Sequence, residues 1–282
     1  MNILEFNKKF PDNKACLEYL FVKRFGEPTC PKCGKVNQYH RQGESSHFVC
    51  ACGGHQLSPK KDTIFEKSDT DLYKWFYVLF LFSKSKNGVA AKEVQRQIQC
   101  TYKCAWRICF QIRRMFSEHG ISLSDIVEGD ETYIGGKGGN NKRGRGAENK
   151  VPVAGLLERK GKIIAKVTID TKRKTLMPII KEHVKLETIM MTDEYRPYKS
   201  LAKEGYGHQT VNHGSKEYVR GIVHVNGLEG FWSQMKRSIN GTHHAVSPKH
   251  LQHYVDEFSW KYNYRSLPVF ELLMAKAVMP IA

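Results

Sequence analysis

The sequence contains no apolar run of about eighteen residues, the length a bilayer-crossing helix requires. Its longest apolar stretch, WFYVLFLF at 75–82, is too short for that and reads as part of a buried helix. The start, MNILEFNKKF, has no apolar segment of signal-peptide length, so a cytoplasmic chain without a membrane partner is expected. Acid is scarce: 28 Asp plus Glu stand against 45 Lys plus Arg, a net charge of +17. A field of that sign attracts polyanions and makes nucleic acid the leading partner. A ribosomal or simply basic protein would share the sign, but the charge here is not confined to a tail and 40% of the residues are hydrophobic, enough for a sizeable core. The Gly-rich basic loop at 137–150, KGGNNKRGRGAENK, lacks the Gly-Lys-Ser/Thr ending of a phosphate-binding loop, which excludes nucleotide binding there. Lys142, Arg143 and Arg145 within it are candidates for DNA phosphates, a solvated hairpin tip being the alternative.

Eight cysteines in an intracellular chain point to metal or burial rather than disulfides. Cys30-Pro-Lys-Cys33-Gly and Cys50-Ala-Cys52-Gly-Gly can bring four thiolates onto one structural Zn²⁺, so residues 1–68 read as a zinc ribbon region. The second pair is one residue tighter than the first, which leaves His55 as an alternative ligand. Cys16, Cys100, Cys104 and Cys109 read as core or incidental. Residues 69–120 carry helical periodicity, broken at 83–88 and near Cys100 and Thr101, and the last helix is basic. Helix, short turn, basic helix is a helix-turn-helix-like pattern, with Arg113 and Arg114 as DNA candidates. Any all-helical linker can share it.

Residues 121–282 read as strands first, SDIVEGDETYIGG, PVAGLLE and KIIAKVTID, then a helix around TLMPIIKEHV, a strand ETIMMTD, a helix from Tyr198, a short strand near Thr210 and Val211, and two closing helices at 226–238 and 248–265. That order fits an α/β unit, a mixed sheet with flanking helices. Asp130 lies in the first strand and Asp193 directly after a later one, and a carboxylate in such a place is costly to bury unless paired or bound to metal. On neighbouring strands the two would form an oxygen-lined site suited to Mg²⁺ or Mn²⁺; taken singly, each could be a turn or helix-capping residue. In the helix at 226–238, Leu228, Phe231, Trp232 and Met235 form one apolar stripe, while Glu229 and Lys236 align on a neighbouring face with Ser233 between them. Trp232 on that stripe reads as core.

Asp130, Asp193 and Glu229, with thirty-five residues between the last two and a basic residue seven after the glutamate, resemble the triad of the DDE transposases. The stretches GDETYIGGK, TDEYRPY, the long run from Val223 to Arg265 and the preceding CPKCG are similar to bacterial insertion-sequence transposases with an N-terminal zinc ribbon and an integrase-like domain, a resemblance that covers nearly the whole chain. It implies an RNase H-like core, two-metal cleavage and joining of DNA at inverted-repeat ends, a homo-oligomer of at least two copies, and a bacterial, nucleoid-associated location. Asp130, Asp193 and Glu229 would then hold Mg²⁺ or Mn²⁺, with Lys236 and Arg237 on phosphates and His243, His244 and Lys249 extending the groove. That subgroup often carries Asn at the third catalytic position, so Asn226 is the rival. Glu229 is preferred for its spacing to Lys236 and because a carboxylate neutralises a cation better than an amide does. A nuclease or resolvase that never joins, and a non-catalytic DNA-binding regulator, are the alternative functions.

Overall fold

The computed structural model describes residues 1–135, 150–211, 219–221 and 223–279. Lys142, Arg143 and Arg145 lie outside them. The chain forms two compact units: residues 1–85, 89–115 and 267–282 make the first, and residues 86–88 with 116–266 the second.

The first unit begins with two helices, α1 (Ile3–Lys9) and α2 (Asn13–Phe25), each capped by its own preceding side chain: Asn2 accepts from the Glu5 N–H and Asp12 from the Ala15 N–H. A three-stranded antiparallel sheet follows, of β1 (Tyr39–Arg41), β2 (Phe48–Cys50) and β3 (Gln56–Leu57). Next comes α3 (Leu72–Lys84), whose WFYVLFLF run is a core helix: Trp75, Phe76, Val78 and Leu79 are fully buried. Asp71 makes no side-chain cap for it; Asn13 Oδ1 takes the Leu72 N–H at 2.6 Å. Then α4 (Ala91–Ile98) ends on Gln99 in the left-handed conformation, φ 50°, and Thr101 caps α5 (Tyr102–Arg114) by accepting from the Cys104 N–H at 3.2 Å. A short turn at Gln99 and Cys100 thus separates α4 from α5.

The first unit also claims the end of the chain. Helix α9 (Val269–Ala277) packs on α3, and Phe270 meets Phe6 edge-on at 6.1 Å. A catalytic segment running from 121 to 282 is thus too long at its C-terminal side, because the apolar face of α9 is buried in the aromatic cluster of Phe6, Phe10 and Phe80 rather than against the second unit's own core.

The second unit is built on β4 (Ile126–Gly135), β5 (Lys150–Glu158), β6 (Ile163–Val167), β7 (Ile189–Asp193) and β8 (Gly207–Val211), in the order β6-β5-β4-β7-β8. The first three are antiparallel neighbours and the last two run parallel to β4. A three-strand meander extended by two parallel strands is the RNase H-like mixed sheet. Helix α6 (Arg173–His183) and a 3₁₀ helix (Arg196–Glu204) cover one face over Val127, Leu156 and Met190; the latter stands where an α-helix from Tyr198 was expected, with Pro197 in its first turn. Helices α7 (Asn226–Ser238) and α8 (Pro248–Asn263) cover the other over Val153, Leu157 and Ile163. Alternation along β4 sends Val127 to the first face and its neighbours Glu128 and Asp130 towards α7.

Candidate active site and cysteine cluster

In the ribbon, Cys30, Cys33, Cys50 and Cys52 place their sulfurs within 4.8 Å of one another, the only group of three or more such ligand atoms among the described residues. The Cys30–Cys52 and Cys33–Cys50 sulfurs are 3.8 and 3.7 Å apart. A tetrahedron with Zn–S arms of about 2.3 Å has edges of about 3.8 Å, so the thiols already stand at zinc-ligand spacing. The two turns that achieve this are local. Gly34 (φ 68°) and Gly53 (φ 70°) adopt left-handed backbone and donate to the Cys30 and Cys50 carbonyls at 2.9 and 2.8 Å. Burial opposes ionisation of Cys30, yet the backbone N–H groups of Cys33 and Lys32 outweigh it and bring the thiol down to about 6. His55 is not needed as a ligand: its Nδ1 is 2.7 Å from the Tyr39 hydroxyl.

The acidic residues meet by another route. Asp130 is the fifth residue of β4, well inside the strand, and Gly129 pairs in register with Thr192 of β7. The next residues, Asp130 and Asp193, therefore end level on adjacent parallel strands, at the carboxyl end of β7. Asp193 also acts as a turn residue, its Oδ1 accepting the Tyr195 N–H at 3.0 Å. Burial pushes the Asp130 carboxyl up to about 6; the Glu131 N–H resists this, the Asp193 charge adds to it, the Trp232 N–H resists it, and the Glu229 charge adds again. Asp130 thus feels both of the other acids near the carboxyl end of β7, although the three do not close into a cluster as tight as the cysteines.

Helix α7 starts and ends where the sequence pattern placed it. Glu229, Asn226 and Arg237 are exposed on it, and Lys236 is half-buried. Burial lowers the Lys236 pKa, Asp130 raises it and Lys150 lowers it, so its ammonium lies within electrostatic reach of Asp130. What fills the face between Glu229 and Lys236 on the sheet side is Trp232 rather than Ser233. Its Nε1 donates to Asp130 Oδ2 at 3.1 Å, while its ring is 4% exposed. The spacing i+3 from Glu229 and i−4 from Lys236 is a signal for that contact that an apolar-stripe reading passes over. The indole fits because β5 carries glycine opposite Asp130: a Cβ at Gly155 would lie 2.4 Å from Trp232 Cζ2. On the sheet's other face Tyr198 donates to Glu131 Oε1 at 2.6 Å, holding the residue next to Asp130.

Other sequence candidates go elsewhere. Arg113 is a correction: it is 3% exposed, its Nη2 donates to the Val89 carbonyl at 2.7 Å and its guanidinium covers the Phe82 ring, so it is spent inside the first unit. The helical period puts it on the inner side of α5, while Arg114 is exposed. His243 packs edge-on against Tyr254 at 4.8 Å; His244 and Lys249 are exposed. The donor set at the carboxyl end of β7 consists of hard carboxylate oxygens, one carboxyl held at a raised pKa by burial and two like charges, which fits a divalent oxygen-seeking cation that would relieve that repulsion. Among the described residues no helix is long and apolar enough to cross a membrane.

Residues 122–263 match the family of the ISXO2-like transposase domain. The chain is 28% identical over 250 residues to an uncharacterized protein in transposable element ISH50 of Halobacterium salinarum, covering 81% of this chain and 83% of that protein. It is 31% identical over 104 residues to an uncharacterized transposase-like protein of Haemophilus influenzae, covering 37% of this chain and 83% of that one. Among solved structures it has a distant likeness to the Mos1 transposase paired-end complex with left transposon end: 11% identity, TM-score 0.29, 72% of this chain and 78% of that chain. With the family match taking in just over half of its residues, on the unit that carries Asp130, Asp193 and Glu229, the chain belongs to the ISXO2-like transposases.

Proposed function

We propose that this chain is a DNA transposase that binds the inverted-repeat ends of an insertion sequence, cuts them and joins the freed 3′-hydroxyl to target DNA. What supports the reading is that half-buried Asp130 stands level with Asp193 of the next strand and feels the Glu229 charge, in the unit that matches the transposase family. Asp130, Asp193 and Glu229 would hold Mg²⁺ or Mn²⁺, which when bound activates the attacking oxygen and stabilises the leaving oxygen of an in-line displacement. Trp232 fixes Asp130 through Oδ2, and the Tyr195 N–H holds Asp193 through Oδ1. Lys236, half-desolvated beside Asp130, supplies positive charge for a backbone phosphate, and exposed Arg237 extends that contact along α7. The four-cysteine cluster would hold Zn²⁺ as a folding element, and Arg114 with Lys142, Arg143 and Arg145 are further phosphate contacts. Bringing two ends together calls for at least two copies of the chain.

The test is Mg²⁺-dependent cleavage and joining on labelled DNA carrying the inverted repeats that flank the gene. Asp130→Asn, Asp193→Asn and Glu229→Gln should each lower both steps by at least about 10³-fold, a loss of about 4 kcal/mol of transition-state stabilisation, with DNA affinity retained. A dead Asn226→Ala beside an active Glu229→Gln would move the third ligand to Asn226. Cleavage without any joined product would make the protein a nuclease.

A further inference from the structure

Helix α7 has no cap of its own. Its N-cap position is Val225, which offers no side-chain acceptor, and an uncapped helix start leaves backbone N–H groups in need of partners. The acceptor comes from β4: Glu128 Oε2 takes the Leu228 N–H at 3.1 Å across 100 residues of sequence. Glu128 is 1% exposed, and its other oxygen accepts from Arg159 Nε at 3.0 Å, with His224 Nδ1 at 3.4 Å. Arg159 in turn donates Nη2 to the His224 carbonyl at 2.9 Å, so the segment entering α7 and the first turn of the helix are gripped by one ion pair between buried Glu128 and half-buried Arg159. Gly227 completes the fit. A Cβ there would lie 2.8 Å from Glu128 Oε2 and 2.6 Å from Leu157 Cδ2, so any larger residue would push on the clamping carboxylate itself.

An ion pair that buries a carboxylate adds little net stability compared with well-packed apolar residues of the same volume, so stability alone is a poor account of this one. Its placement supplies a better account. Glu128 stands two residues before Asp130 on the same face of β4, and the N–H it grips belongs to the residue before Glu229. One strand thus carries both an acid of the site and the clamp on the helix that carries another. Both Glu128 oxygens are already engaged, which removes it from the ligand set.

We infer that Glu128, clamped by Arg159, is a positioning residue for the acidic site: it sets the depth and rotation of the first turn of α7, and with them the approach of Glu229 to Asp130. This rests on the reading of that site as a divalent-cation site. The experiment uses the full-length, zinc-loaded protein and titrates Tb³⁺, a hard oxygen-seeking ion, following luminescence sensitised by Trp232, whose indole is bonded to Asp130. Melting temperatures are recorded in parallel. Glu128→Gln and Gly227→Ala should each weaken Tb³⁺ binding by about tenfold or more, the effect expected of outer-shell partners. Val255→Ala, which thins the core under α8, should lower the melting temperature and leave Tb³⁺ affinity unchanged. If Glu128→Gln does not fold, Arg159→Lys carries the same expectation as the first pair. Unaltered Tb³⁺ binding in the clamp variants, with binding abolished by Asp130→Asn, would overturn the positioning role and leave the cation site standing. A loss no larger than that of Val255→Ala would also overturn it. Persistence of the signal in Asp130→Asn and Asp193→Asn would remove the cation site and the clamp's role together.

Discussion

The cysteine cluster and the carboxylate site are both suited to cations, yet they are assembled over very different distances along the chain. Each cysteine pair is brought together by a turn of three or four residues, and each turn ends in a left-handed glycine. Its geometry follows from short-range backbone preferences, and only the joining of the two turns depends on β1 and β2. The carboxylates come from two strands and a helix, and nothing near Asp130 in sequence specifies where Asp193 or Glu229 will stand. Sheet register does that for the first pair, and the packing of α7 does it for the third. Four thiols at ligand spacing form a site in which a metal, once bound, would become part of the fold. Three like charges near the carboxyl end of β7 form one that the scaffold must hold against their own repulsion.

The largest expected effect separates the two on that point. Protein purified without chelator should contain about one zinc per chain, and Cys50→Ser should lose it together with the ribbon, because structural zinc contributes about 10–16 kcal/mol of folding free energy in comparable small units. Metal analysis and hydrogen exchange of the Tyr39–Leu57 amides read this out; full zinc content in Cys50→Ser would break the comparison.

Removing a carboxylate should do the opposite. Asp130 has its pKa raised from 3.8 to about 6, so the folded state binds its proton more tightly than the unfolded chain does. Stability of the metal-free protein should therefore fall as pH rises between about 4 and 6. Asp130→Asn should stabilise it by about 2–3 kcal/mol at pH 7, and the gain should vanish below about pH 4. Thermal melting at the two pH values decides it, and a variant less stable at pH 7 would contradict a strained, like-charged site.

Gly155→Ala probes the cross-strand part of the same site. The added methyl meets the Trp232 ring, so a loss of about 1–3 kcal/mol is expected, with a shift in tryptophan fluorescence as the indole leaves Asp130. An unchanged spectrum would mean that the indole is not held there. The smallest effect belongs to a local device: Thr101→Ala should cost about 1 kcal/mol, the value of one helix cap, measured by denaturant unfolding.

Legibility followed the same division. The bounds of α7, the strand carrying Asp130 and the turn between α4 and α5 could be read directly, because each rests on apolar period and capping residues within a few positions. Arg113 misled because a basic helix end resembles a DNA-facing one until the helix's burial direction is known. Helix α9 escaped because its apolar residues carry no address, and its partner Phe6 lies at the far end of the chain. Glu128 and Gly155 were invisible for a related reason: a glutamate in an acidic strand and a glycine in an apolar one acquire meaning only from what lies across the sheet.

By itself the sequence determined the cysteine turns, the charge, the alternation of strands and helices, and the identity of the acids, since all of these are set by residues within one or two turns of each other. Only the tertiary structure decided that Asp130 and Asp193 stand level, that Trp232 and Gly155 interlock beneath them, and that buried Glu128, held by Arg159, caps the helix bearing Glu229. Those contacts join residues up to about a hundred positions apart, and their free energy exists only once the sheet has fixed its register.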